Sequence, residues 1–167
     1  MRAMVGIDES DESFYALQWF LDNLFPDLSA ALSAGLLTLV HVQQPFQPYG
    51  FPAARPGVAG KTFYPSTVVA DSVRKSQEQT SAALLSRALQ MCKDKLIKAE
   101  SLILEGDPKD MLCEISEQMN VDLLIVGSRG LGKIKRAFLG SVSDYCAHHA
   151  KCPTLIVKPP KEASNNK

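Results

Sequence analysis

The segment between residues 127 and 143, which reads GSRGLGKIKRAFLGSVS, contains the residue types of a phosphate-binding loop. Its charged side chains are all basic: Arg129, Lys133, Lys135 and Arg136. Free N–H groups at the start of a helix, together with the helix dipole, favour an anion. A helix that begins after Gly140 presents three such amides, with two serine hydroxyls as further donors. These groups belong to Ser141, Val142 and Ser143, and together they predict an anion site.

The glycine spacing separates this segment from two familiar nucleotide loops. Its first seven residues match a P-loop, but Ile134 stands where Ser or Thr must bind magnesium. A dinucleotide fingerprint fails as well, because Lys135 occupies its third glycine position. We expect Gly127 and Gly130 to adopt positive φ and let the backbone approach a ligand, with Gly140 before the helix. An ordinary turn and a capped helix are the alternative, but they require neither this spacing nor a basic loop.

Short apolar runs that alternate with helical patterns must position this loop. The runs are AMVGI (3–7), LLTLVHV (36–42), SLILE (101–105), VDLLIVG (121–127) and TLIVK (154–158). They are apolar on both faces, as strands covered by helices on each side must be. Asp107 and Pro108 have the N-cap and first-turn residue types of a helix that buries Met111, Ile115 and Met119. This alternation predicts a doubly wound parallel α/β sheet, whose sites lie beyond the carboxyl ends of the strands.

Composition restricts the class of protein. The chain has 167 residues, which predicts one domain, and its formal net charge of zero argues against a nucleic-acid partner. No stretch approaches the ~20 apolar residues that cross a bilayer, so we expect no membrane insertion. The four cysteines form no C-x-x-C pair, a usage that suits a reducing compartment. We therefore expect a soluble, intracellular protein.

Two segments depart from this regular alternation. Residues 43–66 hold five prolines, three glycines and five aromatic residues, so we expect an irregular loop there, either disordered or a functional flap. Residues 159–167 are polar and predict a disordered tail. The folded domain is expected to span residues 1–158.

Six motifs together resemble the universal stress protein family, and in particular its nucleotide-binding branch and small plant-type members. They are VGIDES (5–10), VHV (40–42), GDPKD (106–110), VGSRG (126–130), LGSVS (139–143) and CPTLIVK (152–158). The resemblance implies a Rossmann-like sheet of five parallel strands in the order 3-2-1-4-5 with helices on both faces. It also implies ATP or AMP as ligand, and a homodimer formed through strand 154–158. The expected role is a regulatory or sensing module in the stress response, located in the cytoplasm, with the nucleus as an additional location left open.

The resemblance also assigns roles to individual residues. Asp8 is expected to bind the nucleoside, since a carboxylate would repel phosphates; the alternative is that Asp8 caps the first helix, although Ser10 or Asp11 could do so instead. The backbone of Val42 matches the position that contacts the adenine edge, and Ile7 and Val126 would flank the base. The predicted nucleotide-binding residues are Ile7, Asp8, Val42, Val126, Gly127, Ser128, Arg129, Gly130, Gly140, Ser141, Val142 and Ser143.

Catalytic residues are not evident. The sequence has no Ser-His-Asp set, paired-carboxylate cleft or metal-ligand spacing, so ATP hydrolysis is expected to be slow or absent, with Mg²⁺ possible alongside ATP. His41 is interpreted as a hydrogen-bonded core residue, and His148 and His149 as ordinary helix residues. A receiver domain would need an aspartate where the third strand ends in Glu105. A chaperone-like interaction protein, in which nucleotide is only structural, remains open.

Overall fold

The computed structural model describes residues 1–24, 35–45, 51–52, 62–63, 67–129 and 139–160. Its strands are β1 (Ala3–Gly6), β2 (Leu37–Gln43), β3 (Phe51–Pro52), β4 (Thr62–Phe63), β5 (Ala99–Glu105), β6 (Leu123–Gly127) and β7 (Thr154–Val157). Its helices are α1 (Asp11–Leu24), α2 (Thr67–Asp94), α3 (Pro108–Gln118) and α4 (Ser141–His149).

Five parallel strands form the main sheet, in the order β5-β2-β1-β6-β7. When these five strands are numbered alone in chain order, this is the predicted order 3-2-1-4-5, which is thereby confirmed. The central strand β1 pairs with β2 on one side and β6 on the other, and Val5 lies opposite both Leu39 and Ile125. The carboxyl ends of β2, β1 and β6 therefore lie side by side at one edge of the sheet.

Helices cover both faces of the central strands of this sheet, as their apolar sequences predict, whereas the edge strand β5 is largely exposed. Helices α1 and α2 pack on one face, where Leu17, Phe20 and Leu85 belong to one buried cluster. Helices α3 and α4 pack on the other face, where Leu112 and Cys146 belong to a second cluster. Burial of apolar surface on both faces, at roughly 25 cal/mol per Å², is the main term that holds the sheet between its helices.

The start of α3 follows its local sequence. Asp107 is the N-cap, its carboxylate accepts a hydrogen bond from the Lys109 amide at 3.2 Å, and Pro108 occupies the first helical position, as predicted. The predicted buried face is wrong in detail. Met111, Ile115 and Met119 are only half-buried, whereas Leu112 and Ser116 are buried. The helix is rotated by about one residue from the expected orientation, and Leu112 faces the sheet.

Within the segment 43–66, five described residues lie in strands. Phe51 and Pro52 pair in an antiparallel ladder with Phe63 and Thr62, and β2 itself extends to Gln43. Most of the remaining loop, and residues 161–167 of the predicted tail, lie outside the described residues. The domain limits at residues 1–158 therefore stay a prediction.

Two further properties of the described residues bear on the class of protein. None of the helices in these residues is both long and apolar enough to cross a membrane. Four cysteines, Cys92, Cys113, Cys146 and Cys152, are free thiols.

Candidate functional site

A cavity of about 690 Å³ lies at the carboxyl ends of β1, β2 and β6. Its wall brings together ten of the twelve residues predicted to bind nucleotide: Ile7, Asp8, Val42, Val126, Gly127, Arg129, Gly140, Ser141, Val142 and Ser143. Of the other two, Ser128 is buried beside the cavity wall and Gly130 lies outside the described residues. The cavity lies where a doubly wound sheet is expected to bind its ligand.

The N-terminus of α4 opens on this cavity without a side-chain cap. Gly140 is the N-cap residue, with extended φ and ψ of −75° and 158°, and the Asp144 amide makes the first intrahelical hydrogen bond, to the Gly140 carbonyl at 2.9 Å. The amides of the next three residues, Ser141 to Ser143, therefore have no intrahelical acceptor. Their N–H groups and the helix dipole make this end of the cavity an anion site.

The two serine hydroxyls at this helix start differ, which corrects the prediction that both are donors to an anion. The Ser143 hydroxyl donates to the Ser128 carbonyl at 3.1 Å and to the Gly140 carbonyl at 3.0 Å, and the side chain is buried. Its proton is thus used within the protein, and only its backbone amide can serve an anion. Ser141 is exposed, so its hydroxyl can still donate.

Ser128 closes the loop that precedes α4. Its carbonyl accepts from the Gly140 amide at 2.8 Å, and its own amide donates to the Val157 carbonyl, also at 2.8 Å. These bonds join the two ends of the segment 128–140 and tie them to β7. Ser128 therefore sets the position of the α4 N-terminus relative to the sheet.

Gly127 has a different reason to be glycine from the one predicted. Its φ does not lie in the left-handed region; the described glycine with positive φ is Gly106, at +150°. A Cβ atom on Gly127 would lie 2.9 Å from the backbone carbonyl of Glu12 and 3.0 Å from the amide of Ser13. The absent side chain therefore allows the first turn of α1 to pack closely against the end of β6.

Ser10, rather than Asp8, caps the first helix. Ser10 precedes α1, and its hydroxyl accepts a hydrogen bond from the Ser13 amide at 3.3 Å, which is the N-cap contact. Asp8 Oδ1 accepts from the Ser10 amide at 2.9 Å and from the Ser10 hydroxyl. Asp8 Oδ2 receives no hydrogen bond from the described residues. This half-buried carboxylate is therefore oriented, and one of its oxygens is available in the cavity wall.

One part of the cavity wall is apolar. Val42, Val126 and Val142 line it from two strands and one helix, and Leu112 contributes from α3. A Cβ atom on Gly6 would lie only 3.2 Å from Leu112 Cδ1, so the wall is closely packed at the end of β1. Such a surface suits a planar apolar ring with polar groups at its edge.

The three histidines behave as predicted within the described structure. Nδ1 of the buried His41 donates to the Ile7 carbonyl at 2.8 Å, which satisfies the backbone where β1 leaves the sheet. Nδ1 of His148 and of His149 donates to the carbonyl four residues earlier. The described residues contain no group of three His, Cys, Asp or Glu side chains that could hold a metal ion.

The described cavity wall also lacks an activated nucleophile. The buried serines Ser13 and Ser143 both donate their hydroxyl protons to backbone carbonyls. Outside the wall, Cys146 and Cys113 lie with their sulfur atoms 3.9 Å apart between α3 and α4. Burial raises the pKa of the Cys146 thiol to about 12, so it is neutral and unreactive at neutral pH.

Sequence reasoning missed one part of the cavity wall. It is polar, comes mainly from α2, and consists of Gln43, Gln44, Ser76, Gln77, Thr80 and Ser81. Polar residues on a 28-residue helix look like a solvated face, so the sequence contains no signal that separates them from their exposed neighbours.

Comparison with known proteins identifies the family. The family model described as "Universal stress protein family" matches residues 1–158. The chain belongs to the universal stress protein family. One curated relative, the universal stress protein A-like protein of Arabidopsis thaliana, is 37% identical over 86 residues. This match covers 52% of the present chain and 49% of the relative, so the chain spans about half of that protein's length.

Solved structures of the universal stress protein family share the fold. The Arabidopsis thaliana family protein At3g01520, determined with AMP bound, is 24% identical, with a TM-score of 0.64 over 96% of this chain and 93% of its own. A universal stress protein in complex with cAMP is also 24% identical, with a TM-score of 0.63 over 95% of this chain and 96% of its own. Both matches show that the universal stress protein fold is common to these chains.

Proposed function

We propose that this chain is an adenine-nucleotide-binding universal stress protein, which acts in the cytoplasm as a regulatory or sensing module of the stress response. ATP or AMP is the proposed ligand. The observation that carries the proposal is the uncapped N-terminus of α4, which opens on the same cavity as the oriented carboxylate of Asp8. A ligand that suits both places must carry an anion for the α4 N-terminus and a hydrogen-bond donor for Asp8. A nucleotide has both groups.

The phosphate is assigned to the α4 end of the cavity. Three backbone amides and the Ser141 hydroxyl are available there, and Arg129 lines the same cavity. Oriented amides and a cation favour a phosphate without requiring a metal ion. Mg²⁺ is proposed to enter only with ATP, bound by its phosphates.

The nucleoside is assigned to the strand ends. Asp8 Oδ2 is an acceptor that suits ribose hydroxyls or an adenine amino group. Val42 and Val126 offer apolar surface for the base, and the Val42 backbone lies beside them at the end of β2. The AMP that the At3g01520 structure contains supports this class of ligand for the family fold.

Titration calorimetry with AMP, ATP and adenosine tests this assignment. If Asp8 contacts the nucleoside, Asp8→Ala should weaken all three ligands by similar factors, about tenfold or roughly 1.4 kcal/mol. Asp11→Ala is the matched control, because Asp11 is exposed, outside the described cavity wall and three residues away. A loss confined to ATP would contradict the nucleoside role and indicate a metal or γ-phosphate contact instead.

Hydrolysis of ATP is proposed to be slow or absent. A hydrolase needs a base or a metal-bound water near the phosphates, and the described cavity wall offers neither a nucleophile and base pair nor a metal-ligand group. Binding, rather than turnover, is therefore the proposed activity.

A homodimer formed through β7 completes the proposal. This strand is at one end of the sheet order, and Leu155 and Ile156 in it are only half-buried. Pairing across a two-fold axis would satisfy its free backbone groups and cover these side chains. Sedimentation at tens of micromolar should give a dimer for the wild type and a monomer for Ile156→Lys, with circular dichroism to check the fold. A monomeric wild type, or a folded dimeric variant, would exclude this interface.

A further inference from the structure

The proposed phosphate and nucleoside contacts do not involve the polar wall of the cavity. We call it the α2 wall, and it consists of Gln43, Gln44, Ser76, Gln77, Thr80 and Ser81. All six side chains are uncharged, and the one Lys or Arg among the described lining residues, Arg129, follows β6 rather than β2. The α2 wall therefore suits an uncharged hydrogen-bonding group and not a phosphate.

The direction of the hydrogen bonds fixes the orientation of the Gln43 amide. Gln43 Nε2 donates to the Ser81 hydroxyl at 2.6 Å and to the Gln77 backbone carbonyl at 3.3 Å. Because a backbone carbonyl only accepts, the nitrogen and not the oxygen of this amide must face α2. Ser81 donates its own proton to the same carbonyl at 2.9 Å, so at Gln43 it is the acceptor. Both hydrogens of the amide are used, and Gln43 Oε1 receives no hydrogen bond from the described residues.

Gln77 and Thr80 also donate their hydrogen bonds to the protein and keep acceptor atoms. Gln77 Nε2 donates to the Gln44 backbone carbonyl at 3.4 Å, which again turns the nitrogen toward the protein and leaves Oε1 without a partner among the described residues. The Thr80 hydroxyl donates to the Ser76 carbonyl at 3.0 Å, so its lone pairs remain. Acceptor atoms therefore predominate on the α2 wall.

The order of the strands indicates that the α2 wall lies at the nucleoside end of the cavity. In the sheet, β1 separates β2 from β6, so the carboxyl ends of β2 and β6 are about 10 Å apart, two strand spacings of roughly 4.8 Å. Gln43 is the last residue of β2 and directly follows Val42, whereas the anion site follows β6. A nucleotide whose phosphate binds at α4 therefore presents its base toward the α2 wall.

We propose that the α2 wall recognises the amino-bearing edge of the base, through acceptor oxygens of Gln43 and Gln77, and so selects 6-aminopurine over 6-oxopurine nucleotides. The inference rests on the proposed nucleotide function and deepens it. An exocyclic amino group donates to these oxygens. The oxo group of hypoxanthine or guanine is itself an acceptor, so it would leave the glutamine oxygens unpaired and opposed to another oxygen.

The test compares AMP with IMP, which differ at this edge of the base. Wild-type protein should bind AMP about tenfold or more tightly than IMP in titration calorimetry. Gln77→Met keeps the length of the side chain and removes its acceptor, so the ratio should fall to about threefold or less. Gln77→Glu retains an acceptor oxygen and should keep the preference for AMP.

Two controls separate this inference from the proposed function. Gln79→Met changes the same residue type two positions along α2, at an exposed position outside the described cavity wall, and should leave the ratio unchanged. Competition by ribose 5-phosphate should be equal in wild type and Gln77→Met, which shows that the variant retains its anion site. An unchanged AMP to IMP ratio in Gln77→Met, with AMP still bound, would overturn the inference alone. Failure of the wild type to bind any adenine nucleotide would overturn the proposed function as well.

Discussion

The two ends of the cavity are built from different parts of the protein. At the α4 end, the available groups are backbone amides, which a helix presents whatever its side chains are. At the α2 end, they are side-chain oxygens of Gln43 and Gln77, whose direction depends on hydrogen bonds between β2 and α2. One end offers donors to an anion, and the other offers acceptors to an uncharged donor.

This difference gives the ligand an orientation. A phosphate at the α2 end would meet glutamine oxygens and the carboxylates of Asp8 and Glu9, which repel it. A base amino group at the α4 end would meet N–H groups that cannot accept its protons. Under the proposed function, the two ends would therefore disfavour a reversed nucleotide as well as favour the proposed orientation. Substitutions can alter each end separately, so the difference between the α4 end and the α2 end can be tested.

The largest expected effect concerns the packing behind the α4 end. Gly127→Ala would bring a methyl group against the backbone of Glu12 and Ser13, which cannot move aside without shifting α1. We expect a loss of stability of about 1–3 kcal/mol, toward the upper end of that range, in urea denaturation. Gly6→Ala is the matched control, because its methyl group meets side chains rather than backbone, Leu112 Cδ1 at 3.2 Å and Val126 Cγ1 at 3.6 Å, and should cost less. Equal losses in the two variants would show that the contact with α1 is not what requires glycine.

A smaller effect is expected from a charge at the α4 end. Ser141→Asp places a carboxylate in the first turn, where the helix dipole favours it, so the fold should persist. The same carboxylate repels the phosphate, and AMP affinity should fall about tenfold while adenosine affinity changes less than about twofold. Ser141→Asn is the control, because asparagine has nearly the same shape as aspartate but no charge. Similar losses for AMP and adenosine would mean that the phosphate does not bind at this helix.

The smallest effect is a dependence of affinity on pH. A phosphate monoester has a second pKa of about 6, so AMP changes from dianion to monoanion as the pH falls through that value. The α4 end favours the dianion, and AMP affinity should therefore be about fourfold lower at pH 5.5 than at pH 7.5. Adenosine should bind equally well at both values. A parallel decrease for adenosine would locate the titration in the protein rather than in the phosphate.

The α4 end could be predicted from sequence because its determinants are contiguous. The spaced glycines, the basic loop and the helix start all lie between residues 127 and 143, after a strand whose apolar run identifies it. The cap at Asp107 was predictable for the same reason, because local residue types decide it. The strand order was implied by the resemblance to the universal stress protein family, and local residue types do not decide it. The direction of the Ser143 hydroxyl was not, because it depends on the carbonyl of Ser128, fifteen residues earlier.

The α2 end could not be predicted, because its parts are distant in sequence and ordinary in type. Gln43 and Ser81 are separated by 38 residues, and nothing in a glutamine or a serine indicates that the two will bond. Gln77 and Gln79 are the same residue type on the same helix, and only the packing of α2 against β2 decides which of them lines the cavity. The reason for Gly127 was also hidden, since it depends on where α1 packs.

The place of β1 in the sheet has a consequence for the nascent chain. Ala3 pairs with Leu37 on one side and Leu123 on the other, and Arg2 donates from its amide to Asp122 across 120 residues. A ribosome that adds about 5–20 residues per second needs roughly 6–24 s to supply that second partner. Until then one edge of β1 has no strand to pair with, although the finished protein buries its first three residues. During synthesis, the innermost strand of the native sheet is therefore open to pairing with another chain.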